Sequence, residues 1–270
     1  MKTTSVIVPI GDSRDADTVM AVASDIAERF DALLEVVHVT SSLHAGPHVA
    51  RRRAWMTELA EANAASLRLV EDRSVSAGLR DVLVDHPDAI VCMHVDASGG
   101  PLDVALGSTS QDLLRAGHHR FVLLGPEVST KARATTGPVV VCVDASDHSE
   151  SILTDASRWA DAMGSATTWV VFVAHATPMP ADVDEGSYVQ SMARALDVPD
   201  SEWEVLHGKD PAHSIVDFAE RIGASTIVMA THGRSGLGRL ALGSTTARVV
   251  HQAPCPVLTR RPPFLSSVLA

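Results

Sequence analysis

At 270 residues, the chain can form one large domain or two of average size, because domains cluster near about 100–150 residues. Its net charge of −11, without a dense Lys and Arg cluster, excludes an extended nucleic-acid-binding surface, which needs many phosphate-neutralising charges. Hydrophobic residues make up 46% of the chain and aromatic residues only 4%, so the core must be built from Val, Leu, Ile and Ala, as in sheets covered by helices on both faces.

The cysteines and the N-terminus indicate a compartment. Cys92, Cys142 and Cys255 are far apart and stand among apolar residues, which is typical of buried thiols in a reducing environment. The chain runs from Met1 into a short apolar segment without a signal-peptide pattern, and no apolar run approaches the roughly 18 residues of a membrane span. We therefore expect a cytoplasmic protein with no membrane partner.

In the first half, short β-branched runs alternate with helical patterns. Strands are predicted at Ser5–Ile10, Leu33–Val39, Ala89–Met93 and Phe121–Leu124. Asp15–Phe30 has apolar residues at spacings of three and four, which predicts an amphipathic helix. Strands that alternate with helices indicate a parallel sheet with right-handed crossovers.

The second half repeats this order. Strands are predicted at Val139–Val143, Thr168–Ala174, Ser225–Met229 and Val257–Thr259, with a helix over Ser149–Met163. The two sets are offset by about half the chain, and Gly107-Ser108 recurs as Gly243-Ser244, so the sequence predicts a duplicated domain.

A polar stretch, Glu127–Gly137, separates the copies and places the domain boundary between residues 132 and 133, giving domains 1–132 and 133–270. The apolar last strand of each copy would be a sheet edge that needs cover. We therefore expect the copies to pack as an internal dimer across a pseudo-two-fold axis, with further homodimerisation of the chain.

Two segments of the second half carry candidate chemistry, because ligands bind outside the carboxyl ends of parallel strands. The first is Val143-Asp144-Ala145-Ser146, where Asp144 follows a strand. Its carboxylate can accept hydrogen bonds from a ribose or an adenine amine, or it can simply cap the next helix.

The second segment runs from Met229 to Thr246 and joins a strand to a helix over Ser244 to about Gln252. Gly233 and Gly236 supply backbone freedom and open N–H groups, and Gly243 allows close approach of a phosphate. Ser244, Thr245 and Thr246 lie on the first turn of the helix, whose dipole favours an anion. The segment indicates a phosphate cradle, although the glycines can instead form a flexible turn with Ser244 as a cap.

Other nucleotide and hydrolase motifs do not fit. The chain has no G-x-x-x-x-G-K-[ST], no G-x-G-x-x-G after a strand, and Leu237 stands where a nucleophile elbow needs glycine. The histidines show no metal-ligand spacing, so no protein-built metal site is predicted.

These segments together resemble the universal stress protein family. The family's ATP-binding pattern is Gly, two residues, Gly, nine residues, then Gly followed by Ser or Thr. Gly233, the nine residues after it, Gly243 and Ser244 match this pattern, whereas Ala230 occupies the first Gly position. Gly208-Lys209-Asp210-Pro211-Ala212 and the segment from Ala253 to Leu258 are also similar to family segments.

The resemblance implies two tandem, doubly wound, mostly parallel five-stranded α/β domains, Rossmann-like and similar to the adenine nucleotide alpha hydrolases. It also implies an ATP site with Mg²⁺ bound mainly through the phosphates. By similarity, Asp144 would hold the adenine or ribose, and Val143, Ala174 and Met229 would line the base pocket. The residues around the phosphates would be Ala230, His232, Gly233, Arg234, Gly236, Gly243, Ser244, Thr245 and Thr246.

The first half resembles a degenerate copy of the same site, with substitutions at several binding positions. Gly11 takes the place of Asp144 with Asp12 displaced by one position, and Asp96-Ala97 replaces His232-Gly233. Gly107-Ser108 is retained, but Asp96 would direct a negative charge at phosphates. We expect one ATP per chain, in the second half.

Three functions stay open. The leading hypothesis is an ATP-binding stress-response or regulatory protein in which the nucleotide shifts conformational or assembly states, because no nucleophile or base stands out. A slow ATPase or phosphoryl-transfer enzyme could use Asp144 or His232 with phosphate-bound Mg²⁺. A dimerisation protein without nucleotide is the third alternative, and the retained Gly233, Gly243 and Ser244 argue against it.

Overall fold

A computed structural model describes residues 3–11, 16–41, 47–95, 108–116, 118–129, 137–174, 184–232 and 242–261. Within these ranges the first half contains, in chain order, β1 (Ser5–Pro9), α1 (Ala16–Phe30), β2 (Leu33–Ser41), α2 (Pro47–Ala62), β3 (Ser66–Asp72), α3 (Val75–Asp85), β4 (Ile90–His94), α4 (Ser108–Ala116) and β5 (Arg120–Leu124). The second half contains β6 (Val139–Cys142), α5 (Asp147–Glu150), α6 (Leu153–Met163), β7 (Thr168–Ala174), α7 (Glu185–Ala195), β8 (Ser201–His207), α8 (Pro211–Ile222), β9 (Thr226–Ala230), α9 (Ser244–Gln252) and β10 (Val257–Arg260). The predicted boundary between residues 132 and 133 lies outside the described residues.

Each half forms a five-stranded parallel sheet with the same strand order. The first half runs β3-β2-β1-β4-β5, and the second runs β8-β7-β6-β9-β10. In each half the chain builds outward from the first strand in one direction and then crosses back to build in the other. This doubly wound arrangement confirms the predicted α/β class and the tandem repeat.

The two sheets join at their last strands. β5 and β10 pair antiparallel, with Leu123 opposite Val257 and Phe121 opposite Thr259. The result is one continuous ten-stranded sheet, in which the apolar edge of each half is covered by the other. Packing of α1 against α6 adds a second contact between the halves, where the rings of Phe30 and Trp159 lie 5.8 Å apart.

Both faces of the sheet are buried, which explains the nearly continuous apolar runs of the central strands. Along β6, Val139 and Val141 pack on one face while Val140 packs on the other. Burial also raises the pKa of the thiols of Cys92, Cys142 and Cys255, all of which are unpaired. They therefore act as small apolar side chains in the core.

The structure corrects two details of the predicted elements. The expected helix over Ser149–Met163 is divided into a short α5, which begins at Asp147, and α6, which begins at Leu153. Strands β3 and β8, the outer strands of the ten-stranded sheet, are the fifth strands that the resemblance implies, but the sequence analysis did not locate them. None of the helices in the described ranges is long and apolar enough to cross a bilayer.

Candidate functional site

The candidate site lies where the winding direction of the second half reverses. β6 stands between β7 and β9 and is parallel to both, so the carboxyl ends of these strands meet at one edge of the sheet. The chain leaves β6 towards β7 and leaves β9 towards β10, which opens a crevice between the ends of β6 and β9. In doubly wound sheets this switch point is the usual place for a ligand.

A compact turn at the end of β6 presents Asp144. Its N–H donates to Ser149 Oγ at 3.0 Å, and its carboxylate Oδ1 accepts from the hydroxyl of Ser146. Ser146 also accepts from the N–H of Ser149 at 3.2 Å and is the N-cap of α5. The capping alternative for Asp144 is therefore wrong, since Ser146 fills that role.

The residue between Asp144 and Ser146 has an unusual backbone. Ala145 has φ of 56°, in the left-handed region that costs a non-glycine residue about 1–2 kcal/mol. Its N–H donates to the hydroxyl of Tyr188 in α7 at 3.1 Å, and Tyr188 in turn donates to Glu150 Oε1 at 3.0 Å. The turn that carries Asp144 is thus held from a second element.

The other wall of the crevice is built where β9 meets α9. The N–H of Gly243 donates to the carbonyl of Thr231 at 2.7 Å, and the hydroxyl of Thr246 donates to the carbonyl of Ala230 at 3.0 Å. A Cβ atom at Gly243 would lie 3.3 Å from the Thr231 carbonyl oxygen. Gly243 therefore allows α9 to approach the end of β9 closely, a packing reason for glycine beside the predicted phosphate contact.

Among the helices whose N-caps are described, α9 alone combines an uncapped start with a first turn free of acidic residues, since α6 is also uncapped but has Asp155 in its first turn. Side chains of Ser74, Ser146, Asp184 and Asp210 cap α3, α5, α7 and α8. At α9 the N-cap is Gly243, no described side chain caps the first turn, and that turn, Ser-Thr-Thr, contains no acidic residue. Its N–H groups and helix dipole can therefore receive an anion.

An ion pair fixes α9 against α8. Arg248, one turn after Ser244, donates through both guanidinium nitrogens to the carboxylate of Asp210, with 2.9 Å between Nη1 and Oδ1. Asp210 also caps α8 by accepting from the N–H groups of Ala212 and His213. The hydrogen bonds from Arg248 are the main reason why the pKa of Asp210 is lowered.

The structure brings most of the predicted binding residues to this edge, with two qualifications. The Thr246 hydroxyl is already bound to Ala230, so only its backbone N–H can face a phosphate. The side chain of Met229 packs on the opposite face of the sheet from those of Val143 and Ala174, so one shared base pocket stays a prediction. Gly233, Arg234 and Gly236 lie outside the described residues.

His232 is the predicted site residue with a titratable ring. Its side chain is only 4% exposed, and Nδ1 lies 3.1 Å from the hydroxyl of Thr231. Within the described ranges, no cluster of three or more His, Cys, Asp or Glu side chains could hold a metal ion.

The first half is built differently at the same position. Gly11 follows β1, and a Cβ atom there would meet nothing within 4 Å. His38 replaces Phe172 of the second half in the strand register, and its Nδ1 donates to the carbonyl of Ile10 at 2.7 Å. The described residues do not include Asp12, Asp96, Ala97 or Gly107, so the loss of the nucleotide site in the first half stays a prediction.

Sequence reasoning missed the contacts that hold the site in place. Asp210 and Arg248 are far apart in the sequence, and Tyr188 reaches the site from a helix without any local motif. Ser146 was visible as a serine before a helix, although its bond to the Asp144 carboxylate was not.

The fold and the site together define a class of protein, the duplicated and doubly wound α/β proteins with a crevice at the switch point. Within that class, a sequence model described as "Universal stress protein family" matches residues 135–261. A universal stress protein of Thermus aquaticus is 32% identical over 138 residues, which cover 46% of this chain and 97% of that protein. The chain belongs to the universal stress protein family.

Two further similarities agree with this assignment. A universal stress protein of Methanocaldococcus jannaschii is 50% identical over 60 residues, a match that spans 22% of this chain and only 35% of that protein. The crystal structure of a universal stress protein from Archaeoglobus fulgidus has a TM-score of 0.72 and covers 97% of this chain and 100% of its own. At 16% identity, the structural similarity shows the fold alone.

Proposed function

We propose that the second half binds ATP in the crevice between β6 and β9, and that the bound nucleotide acts as a conformational or assembly signal. The main support is the start of α9, where no described side chain caps the helix and the first turn contains no acidic residue. It lies across the crevice from the Asp144 carboxylate, so one wall suits phosphates and the other suits a ribose or an adenine amine. Mg²⁺ would enter bound to the phosphates.

Two observations favour binding over turnover. The Asp144 carboxylate accepts the Ser146 hydroxyl at the end of β6, the wall assigned to base and ribose. The ring of His232 is buried with Nδ1 3.1 Å from the Thr231 hydroxyl, so the ring would have to become exposed before it could activate a water molecule on a phosphate. We place the protein in the cytoplasm, because its three thiols are unpaired.

The first experiment is direct. Purified protein is denatured by heat, and the nucleotide released is identified and counted by chromatography against the protein concentration. We expect an adenine nucleotide at no more than one per chain. Protein that carries none is then titrated with Mg-ATP by calorimetry, and about one site is expected.

Variants assign the site to one half. Asp144→Ala combined with Gly243→Glu should abolish binding, because it removes the carboxylate and puts a negative charge at the start of α9. Gly107→Glu, the matched change in the first half, should leave about one site. Two equal sites in the wild type, or loss of binding only in Gly107→Glu, would contradict the assignment. No binding of ATP by the wild type would contradict the proposal itself.

A further inference from the structure

The turn after β6 places an alanine in a conformation that alanine disfavours. Ala145 has φ of 56°, and it separates Asp144, the candidate ligand for base and ribose, from Ser146, which binds the Asp144 carboxylate. The left-handed backbone at this point sets the direction of the Asp144 side chain relative to α5. Holding Asp144 therefore depends on holding Ala145.

Tyr188 holds Ala145 from α7. Its phenol oxygen accepts the N–H of Ala145 at 3.1 Å and donates its own proton to Glu150 Oε1 at 3.0 Å. The ring of Tyr188 packs edge-on against Phe172 of β7, with 5.8 Å between centroids. One side chain thus connects the turn after β6, the last residue of α5 and the strand next to β6.

The two hydrogen bonds of the Tyr188 hydroxyl run in one direction, from the N–H of Ala145 through the phenol to the Glu150 carboxylate. Because Glu150 accepts the phenol proton, the oxygen of Tyr188 becomes a better acceptor for the N–H of Ala145. Burial, and secondarily the Glu150 carboxylate, raises the pKa of Tyr188, so the phenol stays protonated and both bonds persist at neutral pH.

In the first half, a histidine contacts the backbone just before the position that corresponds to Asp144. There His38 stands at the register position of Phe172 and binds the carbonyl of Ile10, before Gly11. That contact fixes the backbone one residue before the position of Asp144, whereas Tyr188 fixes it one residue after. Tyr188 is the only tyrosine in the chain, so a contact of this kind through a phenol belongs to the half that carries the carboxylate.

We infer that Tyr188 is a positioning residue for the nucleotide site, which acts by holding Ala145 in its left-handed conformation so that Asp144 faces the base and ribose. This inference rests on the proposed ATP site and names the residue that orients its adenosine side. If Tyr188 acts in this way, loss of its hydroxyl weakens the binding of adenosine as much as that of ATP, because the proposed phosphate contacts at the start of α9 are unchanged.

The test compares Tyr188→Phe, Ala145→Gly and the double variant by calorimetric titration with adenosine and with Mg-ATP. Tyr188→Phe keeps the ring against Phe172 and should weaken the binding of both ligands about tenfold, the effect of one lost hydrogen bond to a partly buried group. Ala145→Gly in the same chain should restore affinity to within about threefold, because glycine adopts positive φ without a Cβ penalty. Ser191→Ala removes another hydroxyl from α7, one that binds the carbonyl of Tyr188, and should change neither affinity.

A second readout uses the fact that Tyr188 is the only tyrosine in the chain. With fluorotyrosine incorporated, its single ¹⁹F resonance should shift when adenosine is added to the wild type and shift far less in Asp144→Ala. If the wild type binds ATP and Tyr188→Phe binds it equally well, the inference is wrong while the proposed function stands. Failure of Ala145→Gly to restore a weakened Tyr188→Phe would also overturn it, since the hydroxyl would then act by another route. If the wild type binds neither ligand, both proposals fall.

Discussion

Gly125, the residue after β5 of the first half, packs directly on the backbone of Val250 in α9 of the second half. A Cβ atom at Gly125 would lie 1.9 Å from the Val250 carbonyl oxygen, a distance that no side chain can occupy. The mirrored contact involves Arg261, after β10, whose guanidinium donates to the carbonyl of Arg115 in α4. Each half therefore contacts the last helix of the other. In particular, α9, which begins at the proposed phosphate site, packs against the first half.

Gly125→Ala should destabilise the fold by about 1–3 kcal/mol, because overpacking against a backbone carbonyl forces α9 or β5 to move. The measurement is the midpoint of urea unfolding, with Gly11→Ala as the control, since a methyl group at Gly11 meets nothing within 4 Å. Equal midpoints for the two variants would show that α9 is free to shift at this contact.

A charged cluster also lies at the seam. Asp155 in α6, with its side chain 3% exposed, pairs with Arg260 of β10 at 3.0 Å. Arg260 lies opposite Arg120 of β5 in the antiparallel pairing. Burial lowers the pKa of Arg120, and the nearby Asp155 charge opposes that effect. The carboxylate thus stands between guanidinium groups from both halves.

Removing one member of the Asp155–Arg260 ion pair should destabilise the fold more than removing both members. Arg260→Met removes the hydrogen-bonded partner of the buried Asp155 carboxylate, which then keeps only the nearby Arg120 charge, and should destabilise the fold by about 1–3 kcal/mol, whereas Arg260→Met with Asp155→Leu should recover part of that loss. Unfolding free energies of the single and double variants in urea decide this. A double variant less stable than Arg260→Met would mean that Asp155 chiefly balances Arg120.

The sequence predicted the central strands well and the outer strands poorly, for a physical reason. Central strands are buried on both faces and form apolar runs, so the ends of eight strands were predicted to within two residues: β1, β2, β4, β5, β6, β7, β9 and β10. Strands β3 and β8 lie at the edges and carry charged residues such as Arg68 and Glu202, so they show no apolar run. Edge strands are identified by their partner, which a single segment does not reveal.

The candidate site was also predicted only in part. Asp144 and the start of α9 were predictable, because they follow strands at the switch point. The left-handed Ala145 and its bond to Tyr188 were not, since alanine gives no signal for positive φ and the contact spans 43 residues. Gly243 was identified for phosphate approach, whereas the structure also gives it a contact with Thr231.

Asp210 and Arg248 give a pH-dependent prediction. Asp210→Asn keeps an oxygen acceptor for the cap of α8 but loses the ion pair with Arg248, so it should destabilise the fold by about 1 kcal/mol or less at pH 7, as expected for a half-exposed pair. Because the folded pKa of Asp210 is lowered, this stability is present above the unfolded pKa, about 3.9, and is lost as pH falls through the folded value. Urea titrations at pH 7, 5 and 3 should show the two proteins converging in acid. A constant difference across this range would assign the effect to capping.

Ser244 and Ser108 provide the sharpest comparison between the two halves, because each begins the helix before the last strand and both helices start Ser-Thr. Ser244→Ala should weaken Mg-ATP about ten- to more than a hundredfold, since a hydrogen bond to a charged group contributes roughly 1.5–3 kcal/mol. Ser108→Ala should leave the affinity unchanged, because its half has Gly11 in place of Asp144. Ser244 is exposed and does not cap α9, so its loss should leave the unfolding midpoint within error and separate binding from folding. Calorimetry on the two variants at one salt concentration measures both affinities. Equal weakening by the two alanines would show that both halves hold nucleotide, whereas unchanged affinity in Ser244→Ala would reduce the start of α9 to a turn between a strand and a helix.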